Sequence, residues 1–150
     1  MDKKDVYMVS PAIIRGEKGK TGHYSGIHYY SHFIDDFMKK TNVIRDTYDL
    51  TNIKINSVYD SNKWIDNSDC VIIIIPAENI RDFMILIGYA ISHNKKLLIL
   101  FPSEITDEVV AEIIDKNFSN IYVDRIFEQA DNFSELRRKL SLLMHEDNRV

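Results

Sequence analysis

The chain has 150 residues with 45% hydrophobic and 28% charged side chains and a formal net charge of −4. These totals predict a single domain, residues 1–150, that is large enough for a full core, and they argue against a general nucleic-acid binder, whose surface would be basic. The one cysteine, Cys70, excludes a disulfide framework within the chain, so we expect a reducing, cytoplasmic location.

The sequence predicts neither a targeting segment nor a membrane span. The charged residues 1–5 lead directly into an apolar segment, unlike a signal peptide. The apolar run 71–75 is far shorter than the roughly 20 residues that cross a bilayer as a helix. We therefore expect no contact with a membrane.

The first predicted strand covers residues 6–14, with Ser10 and Pro11 ending its regular part because proline removes a ladder donor. The predicted loop that follows, 15–27, holds four of the chain's five glycines. Its cations are Arg15, Lys18 and Lys20. Glycine-rich backbone and cations suit an anion, but the spacing fits no known phosphate loop. An anion site and a surface loop remain equally open interpretations.

A helix over 28–41, a strand over 42–48 and a helix over 55–67 are predicted next. The strand is more polar than the others, which indicates a place near the edge of the sheet. An aromatic cluster comes just after the loop and comprises Tyr24, His28, Tyr29 and Tyr30. These aromatic rings could pack against the core with their polar groups in solvent, or they could form a surface on which a nucleotide base stacks.

Residues 69–102 contain the clearest unit of the sequence. Two short apolar runs, 69–76 and 95–102, each end at a proline, as strands buried on both faces do. Between them, residues 80–93 are apolar on almost every side, which is not typical of a surface helix. The unit is therefore predicted to be a strand, a helix and a parallel strand with a right-handed crossover.

In such sheets, ligands bind outside the carboxyl ends of the strands. This rule predicts a site at residues 76–82 and 101–104. Glu78 and Asp82 lie in the first of these segments. The helix dipole alone also favours acids at a helix start, so a structural and a functional interpretation both stay open.

The remaining chain predicts a helix over 105–116, a strand over 120–127 and a helix over 133–144. Five strands alternating with five helices predict an α/β fold. Its form would be a doubly wound, five-stranded parallel sheet, flavodoxin- or Rossmann-like, with helices on both faces. The histidines are scattered, and the pair His28 and His32 lacks a third ligand. We therefore expect neither a metal nor a cofactor.

Four stretches resemble the nucleoside 2-deoxyribosyltransferase family, and within it the 2′-deoxynucleoside 5′-monophosphate N-glycosidase branch. They are residues 7–16 (YMVSPAIIRG), 64–71 (WIDNSDCV), 87–90 (IGYA) and 94–101 (NKKLLILF). The resemblance implies a small-molecule nucleotide or nucleoside as ligand, with its 5′-phosphate at Arg15 and Gly16. It also implies a homodimer through the helix over 80–91. The expected ligand-binding residues are Ser10, Pro11, Arg15, Gly16, Lys18, Lys20, Tyr24, Pro76 and Leu86.

The sequence departs from the family at the residue that carries the reaction. The family's nucleophile, a glutamate directly before the sequence [IL]-G-x-A, corresponds to Leu86, and its helper aspartate corresponds to Ser61. A leucine cannot attack an anomeric carbon. Asp82 lies one helical turn before Leu86, and Glu78 is a second substitute.

Two main hypotheses follow from this departure. In the first, the domain binds or sequesters a nucleotide or a nucleotide-derived signal and is catalytically inactive. In the second, it is an N-glycosidase or transferase that cleaves a (deoxy)nucleotide or NAD-like substrate with Asp82 or Glu78 as nucleophile. A third, an interaction domain without a ligand, fits the anion-type loop less well.

Overall fold

The computed structural model describes residues 5–11, 22–48, 58–75, 80–102, 105–106, 108, 110–111, 120–126 and 133–144. The bounded elements in this part of the chain are β1 (Asp5–Pro11), α1 (Gly22–Phe37), β2 (Asn42–Tyr48), α2 (Val58–Asp66), β3 (Cys70–Ile74), α3 (Ile80–Ser92), β4 (Lys96–Pro102), β5 (Ile121–Ile126) and α4 (Ser134–Met144). Between β4 and β5, Glu108, Val110 and Ala111 are helical, within the segment predicted as a helix.

The five strands form one parallel sheet in the order β2-β1-β3-β4-β5. The predicted α/β fold is confirmed, with β3 at the centre and the polar β2 at an edge. The chain first steps from β1 to β2 and then crosses back to β3 on the other side. This order makes the carboxyl ends of β1 and β3 the topological switch point, where ligands bind in open α/β sheets.

Side chains alternate along each strand and build an apolar layer on both faces of the sheet. On the α1/α4 face, the buried layer consists of Val6, Met8, Tyr30, Ile34, Met38, Cys70, Ile72, Ile74, Leu98, Leu100, Leu136, Leu140 and Leu143. On the α2/α3 face, it consists of Tyr7, Val9, Ile65, Val71, Ile73, Ile75, Phe83, Leu86, Ile87, Ala90, Leu97, Ile99, Phe101 and Ile105. The core is therefore two layers with the sheet between them.

Helix α1 begins at Gly22, so the predicted loop over 15–27 is wrong for its last six residues. Gly22 and Gly26 are poor helix formers, which is why the pattern indicated a loop. Burial of Tyr30, Ile34 and Met38 on the sheet stabilises the helix as a whole and outweighs that local preference. The same helix ends at Phe37, four residues before the predicted end.

Helix α3 is less buried than its composition indicated. Met84 and Ile85 are 45% and 51% exposed, whereas Phe83, Leu86 and Ile87 are buried. One sheet face cannot cover every side of a helix, so the surplus apolar side chains of α3 face outward. Among the described residues, no helix has the length and apolar character that crossing a membrane requires.

The end of α3 is fixed by a Schellman motif. Asn94 has a φ of 57°, in the left-handed region that asparagine tolerates better than most residues. The amide of Lys95 donates to the Ala90 carbonyl and that of Asn94 to the Ile91 carbonyl, each at 3.1 Å. These two bonds satisfy carbonyls that the helix end would otherwise leave unpaired.

Polar contacts tie α2 and α3 together at the amino-terminal edge of the sheet. The Tyr89 hydroxyl lies 2.9 Å from both carboxylate oxygens of Asp66, and the His93 ring stacks on Tyr89 with centroids 4.0 Å apart. Desolvation and then the Asp66 carboxylate raise the pKa of Tyr89, so its hydroxyl stays a donor. Lys95 Nζ also donates to the Ser68 carbonyl at 2.8 Å.

Candidate functional site

The candidate site is the carboxyl edge of the sheet around β1 and β3. In the sheet register, Pro11 of β1 lies beside Tyr48 of β2, and Val9 lies between Asp46 of β2 and Ile73 of β3. Parallel strands end at a common edge, so residues 9–11, 46–48 and 73–75 share one border of the molecule. This border is the switch point at which the strand order predicts a ligand.

The predicted residues that the structure describes lie on three elements. Ser10 and Pro11 end β1, and Ser10 is 4% exposed. Tyr24 lies on α1, whereas Asp82 and Leu86 lie on α3. For Tyr24 and Asp82 the described part of the chain includes the backbone but not the side chain. Arg15, Gly16, Lys18, Lys20, Pro76 and Glu78 lie outside the described residues, and their roles stay predictions.

Leu86 has no exposed surface and belongs to the apolar layer of the α2/α3 face. The same layer contains Tyr7 of β1 and Phe83 of the same helix. At this position the chain has a side chain that can neither attack carbon nor accept a proton. The position fits the packing of the layer and offers nothing for acid–base or nucleophilic chemistry.

A buried tyrosine–carboxylate pair lies near the same edge. The Tyr7 hydroxyl donates to Oδ2 of Asp46 at 2.7 Å, and Asp46 is only 6% exposed. Tyr7 belongs to the α2/α3 layer, and Ile44, which alternates with Asp46 along β2, packs against the same layer. Asp46 therefore lies on the sheet face that also contains Leu86, one strand beyond Tyr7.

A second polar group lies under the helix that covers this face. Oδ1 of Asn62 on α2 is buried and has no hydrogen-bond partner among the described residues. Asn62 comes three residues before Ile65, which is fully buried in the α2/α3 layer, so both lie on the inward side of α2. An unsatisfied buried acceptor is costly and indicates a missing donor.

The sequence did not predict Tyr7, Asp46 or Asn62 as site residues. A signal existed for Asp46, because aspartate is rare in strand interiors and this one alternates with the apolar Ile44. The partner of Asp46 was not readable, since Tyr7 lies 39 residues away along the chain. Within the described residues, no group of three or more histidine, cysteine, aspartate or glutamate side chains could hold a metal ion.

The fold is shared with a solved enzyme structure. The CMP N-glycosidase BcmB from Clostridium botulinum superposes with a TM-score of 0.50 at 16% sequence identity, covering 92% of this chain and 99% of the other. A protein of unknown function from Methanothermobacter thermautotrophicus aligns at 11% identity and a TM-score of 0.43, over 87% of this chain and 84% of its own. Its TM-score is too low to carry an argument.

No protein-family model matches the sequence, and no curated protein matches it. The likeness to BcmB at this identity shows a common α/β fold with a parallel five-stranded sheet and helices on both faces.

Proposed function

We propose that this protein is a nucleotide-binding domain that does not cleave its ligand and acts by binding or sequestering a nucleotide or a nucleotide-derived signal. The observation that carries the proposal is Leu86. It lies fully buried at the position where the sequence resemblance expects the nucleophilic glutamate. The fold shared with a CMP N-glycosidase supports a nucleotide as the ligand class. The single cysteine, which is buried and not in a disulfide, supports a reducing, cytoplasmic location.

In this proposal the ligand lies at the switch point, with its phosphate at the loop after β1. Ser10 and Pro11 end β1 at that edge, and Arg15, Gly16, Lys18 and Lys20 follow within a few residues. Glycine-rich backbone with cations is a suitable environment for a phosphate. Tyr24 and Pro76 are assigned to the walls of the site, with Leu86 beneath them.

The proposal predicts that a nucleotide stabilises the protein against heat. CMP at about 100 times its dissociation constant should add about 2.7 kcal/mol to the free energy of unfolding, which corresponds to roughly 5–10 °C in a chain of this size. Arg15→Ala should abolish most of this shift because the phosphate loses its main cation. Differential scanning fluorimetry with CMP, and with inorganic phosphate as a second probe, measures both effects.

Lys39→Ala is the matched control for Arg15→Ala. Lys39 is an exposed cation just after α1, at the opposite edge of the sheet, so its loss changes the net charge equally but leaves the site intact. The shift with CMP should survive this substitution. If CMP and other nucleotides give no shift in the parent protein, the nucleotide-binding proposal is wrong.

The second candidate function is an N-glycosidase or transferase with Asp82 or Glu78 as nucleophile. Asp82 supports it, because this residue lies one turn before Leu86 on α3 at the carboxyl edge. We expect no release of base from deoxynucleotides, nucleosides or NAD, as followed by chromatography of the free base. Should base be released, Asp82→Asn and Glu78→Gln identify the nucleophile, since only the variant lacking it loses turnover.

We further propose a homodimer through α3. Its outward side presents Met84 and Ile85, and Gly88 on the same side has no atom within 4 Å of the place a Cβ would occupy. Nothing in the described protomer therefore requires glycine there, although glycine destabilises a helix by about 0.5–1 kcal/mol relative to alanine. Close approach of a second helix accounts for it, and a second copy supplies an identical apolar helix.

Ile85→Asp should convert the dimer to a monomer because it places a charge in the apolar contact. Gly88→Ala should weaken the dimer while it raises the stability of the monomer, since the methyl group obstructs only the partner. Sedimentation velocity across micromolar concentrations measures the association of both variants. Leu142→Asp on α4 also replaces an exposed aliphatic side chain with a charge, and it should leave association unchanged. A parent protein that is monomeric throughout would contradict the dimer.

A further inference from the structure

We propose that Asp46 is a ligand-binding residue whose carboxylate accepts a hydrogen bond from an O–H or N–H donor of the bound nucleotide, with Tyr7 as its positioning residue. This inference rests on the proposed nucleotide-binding function and extends it. It assigns the recognition of the ligand's donor groups to β2, the strand that flanks β1 on the edge away from β3. The sequence resemblance does not single out Asp46.

The placement of Asp46 is the first argument. In the sheet register it lies beside Val9, one residue before Ser10, and so within the carboxyl end of the β1–β2 pair. The switch point is formed by β1 and β3, and β1 is the direct neighbour of β2. A ligand that spans the crevice at the end of β1 therefore passes next to Asp46.

The second argument is the cost of burying a carboxylate. Asp46 is 6% exposed, and the Tyr7 hydroxyl is the donor that contacts it among the described residues. A carboxylate has about four acceptor positions, so one neutral hydrogen bond satisfies a small part of its capacity. Carboxylates are almost never buried without stronger compensation. A ligand donor would supply part of the compensation that the described residues do not.

Asn62 is an independent observation on the same face of the sheet. Its buried Oδ1, without a partner among the described residues, is an acceptor on the inward side of α2, the helix that follows β2 along the chain. Asp46 and Asn62 are thus two buried acceptors on the sheet face that α2 and α3 cover. A ligand that carries several donors complements both, and nucleotides carry donors as sugar hydroxyls and as exocyclic amines.

Tyr7 orients the carboxylate. Because its hydroxyl donates to Oδ2, that oxygen is held and Oδ1 is the oxygen we assign to the ligand. Tyr7 itself is fully buried in the apolar layer, so it acts through Asp46 and not by contact with the ligand. A fixed, buried acceptor discriminates strongly between ligands that have the matching donor and analogues that lack it.

The test is a comparison of nucleotide affinities by isothermal titration calorimetry. The reference probe is CMP. The three analogues each lack one of its donors: dCMP lacks the 2′-hydroxyl, 3′-deoxy-CMP the 3′-hydroxyl, and UMP the exocyclic amine of cytosine. Asp46→Asn keeps an oxygen for Tyr7 and replaces the other oxygen with an NH₂ donor, which faces the ligand's donor. We expect this variant to bind CMP about 10- to 100-fold more weakly than the parent protein.

Asp66→Asn is the matched control. Asp66 also accepts a hydrogen bond from a tyrosine hydroxyl, that of Tyr89, but at the amino-terminal edge of the sheet. Its affinity for CMP should stay within twofold of the parent value. At least one analogue should bind the parent protein 10-fold or more weakly than CMP and should lose nothing further with Asp46→Asn. That analogue identifies the donor that Asp46 contacts.

The outcomes separate this inference from the proposed function. If the parent protein binds CMP and Asp46→Asn binds it within twofold, Asp46 is not a ligand-binding residue and the nucleotide site stands. Asp46 is equally excluded if Asp46→Asn weakens every probe to the same extent, because no donor is then coupled to it. Equal binding of all four probes by the parent protein overturns the inference even if the variant fails to fold. If the parent protein binds no nucleotide, both proposals fall together.

Discussion

Replacing Leu86 with alanine should lower the free energy of unfolding by about 2–5 kcal/mol. Leu86 has no exposed surface and lies in the apolar layer between α3 and the sheet. The substitution removes buried methyl and methylene groups and leaves a cavity that the surrounding side chains fill only in part, and both terms destabilise the folded state. Urea unfolding followed by circular dichroism gives the change directly.

Met84→Ala is the matched control for this prediction. Met84 lies two residues earlier on α3 and is 45% exposed, so its truncation leaves no closed cavity in the protomer. Its effect should be well below that of Leu86→Ala when both are measured on the monomer, for example in an Ile85→Asp background. If the two substitutions cost the same, Leu86 is not a core residue. The proposed placement of Leu86 beneath the site would then be wrong.

Tyr7→Phe is expected to destabilise the protein by about 1–3 kcal/mol. The substitution keeps the aromatic ring in its apolar surroundings but removes the hydroxyl that donates to Asp46 at 2.7 Å. A carboxylate that is 6% exposed then loses its donor within the described structure, and the penalty for its burial is no longer offset. Denaturant unfolding at neutral pH gives the measurement.

Tyr89→Phe provides the comparison, because it removes the same atom from an exposed tyrosine–aspartate pair. Water takes the place of the hydroxyl at Asp66, so the loss should be much smaller. Asp46→Asn combined with Tyr7→Phe should recover part of the stability lost in Tyr7→Phe, since no buried charge remains. A double variant whose losses simply add would show that Tyr7 and Asp46 do not interact.

The sequence predicted the sheet better than the start of α1. The runs 71–75 and 97–101 are apolar because they are buried on both faces, and this pattern needs no knowledge of partners. The polarity of β2 predicted its edge position, because an edge strand is less completely buried than a central one. The start of α1 depends on tertiary packing of its later residues, which a local count of glycines does not register.

The candidate site was predictable as a place but not as a set of contacts. The alternation of strands and helices was enough to indicate the carboxyl edge, and Ser10 and Pro11 end β1 there. The pair of Tyr7 and Asp46 depends on the alignment of β1 with β2, which the sequence does not encode locally. The sequence pattern indicated the acids at the start of α3 as candidate site residues. It gave no such indication for an acid inside a strand.

The interior position of β1 also determines when the sheet can form during synthesis. β1 is paired on both edges, with β2 on one side and β3 on the other. Val6 lies beside Cys70, so this partner is synthesised 64 residues later. Until then, a nascent chain has an unpaired edge on an apolar strand that buries Val6, Tyr7, Met8 and Val9 in the finished protein. Such long-range parallel pairing is slow and exposed to aggregation. The ribosome-bound fragment up to β2 is therefore the stage at which this apolar strand edge is open to wrong pairing.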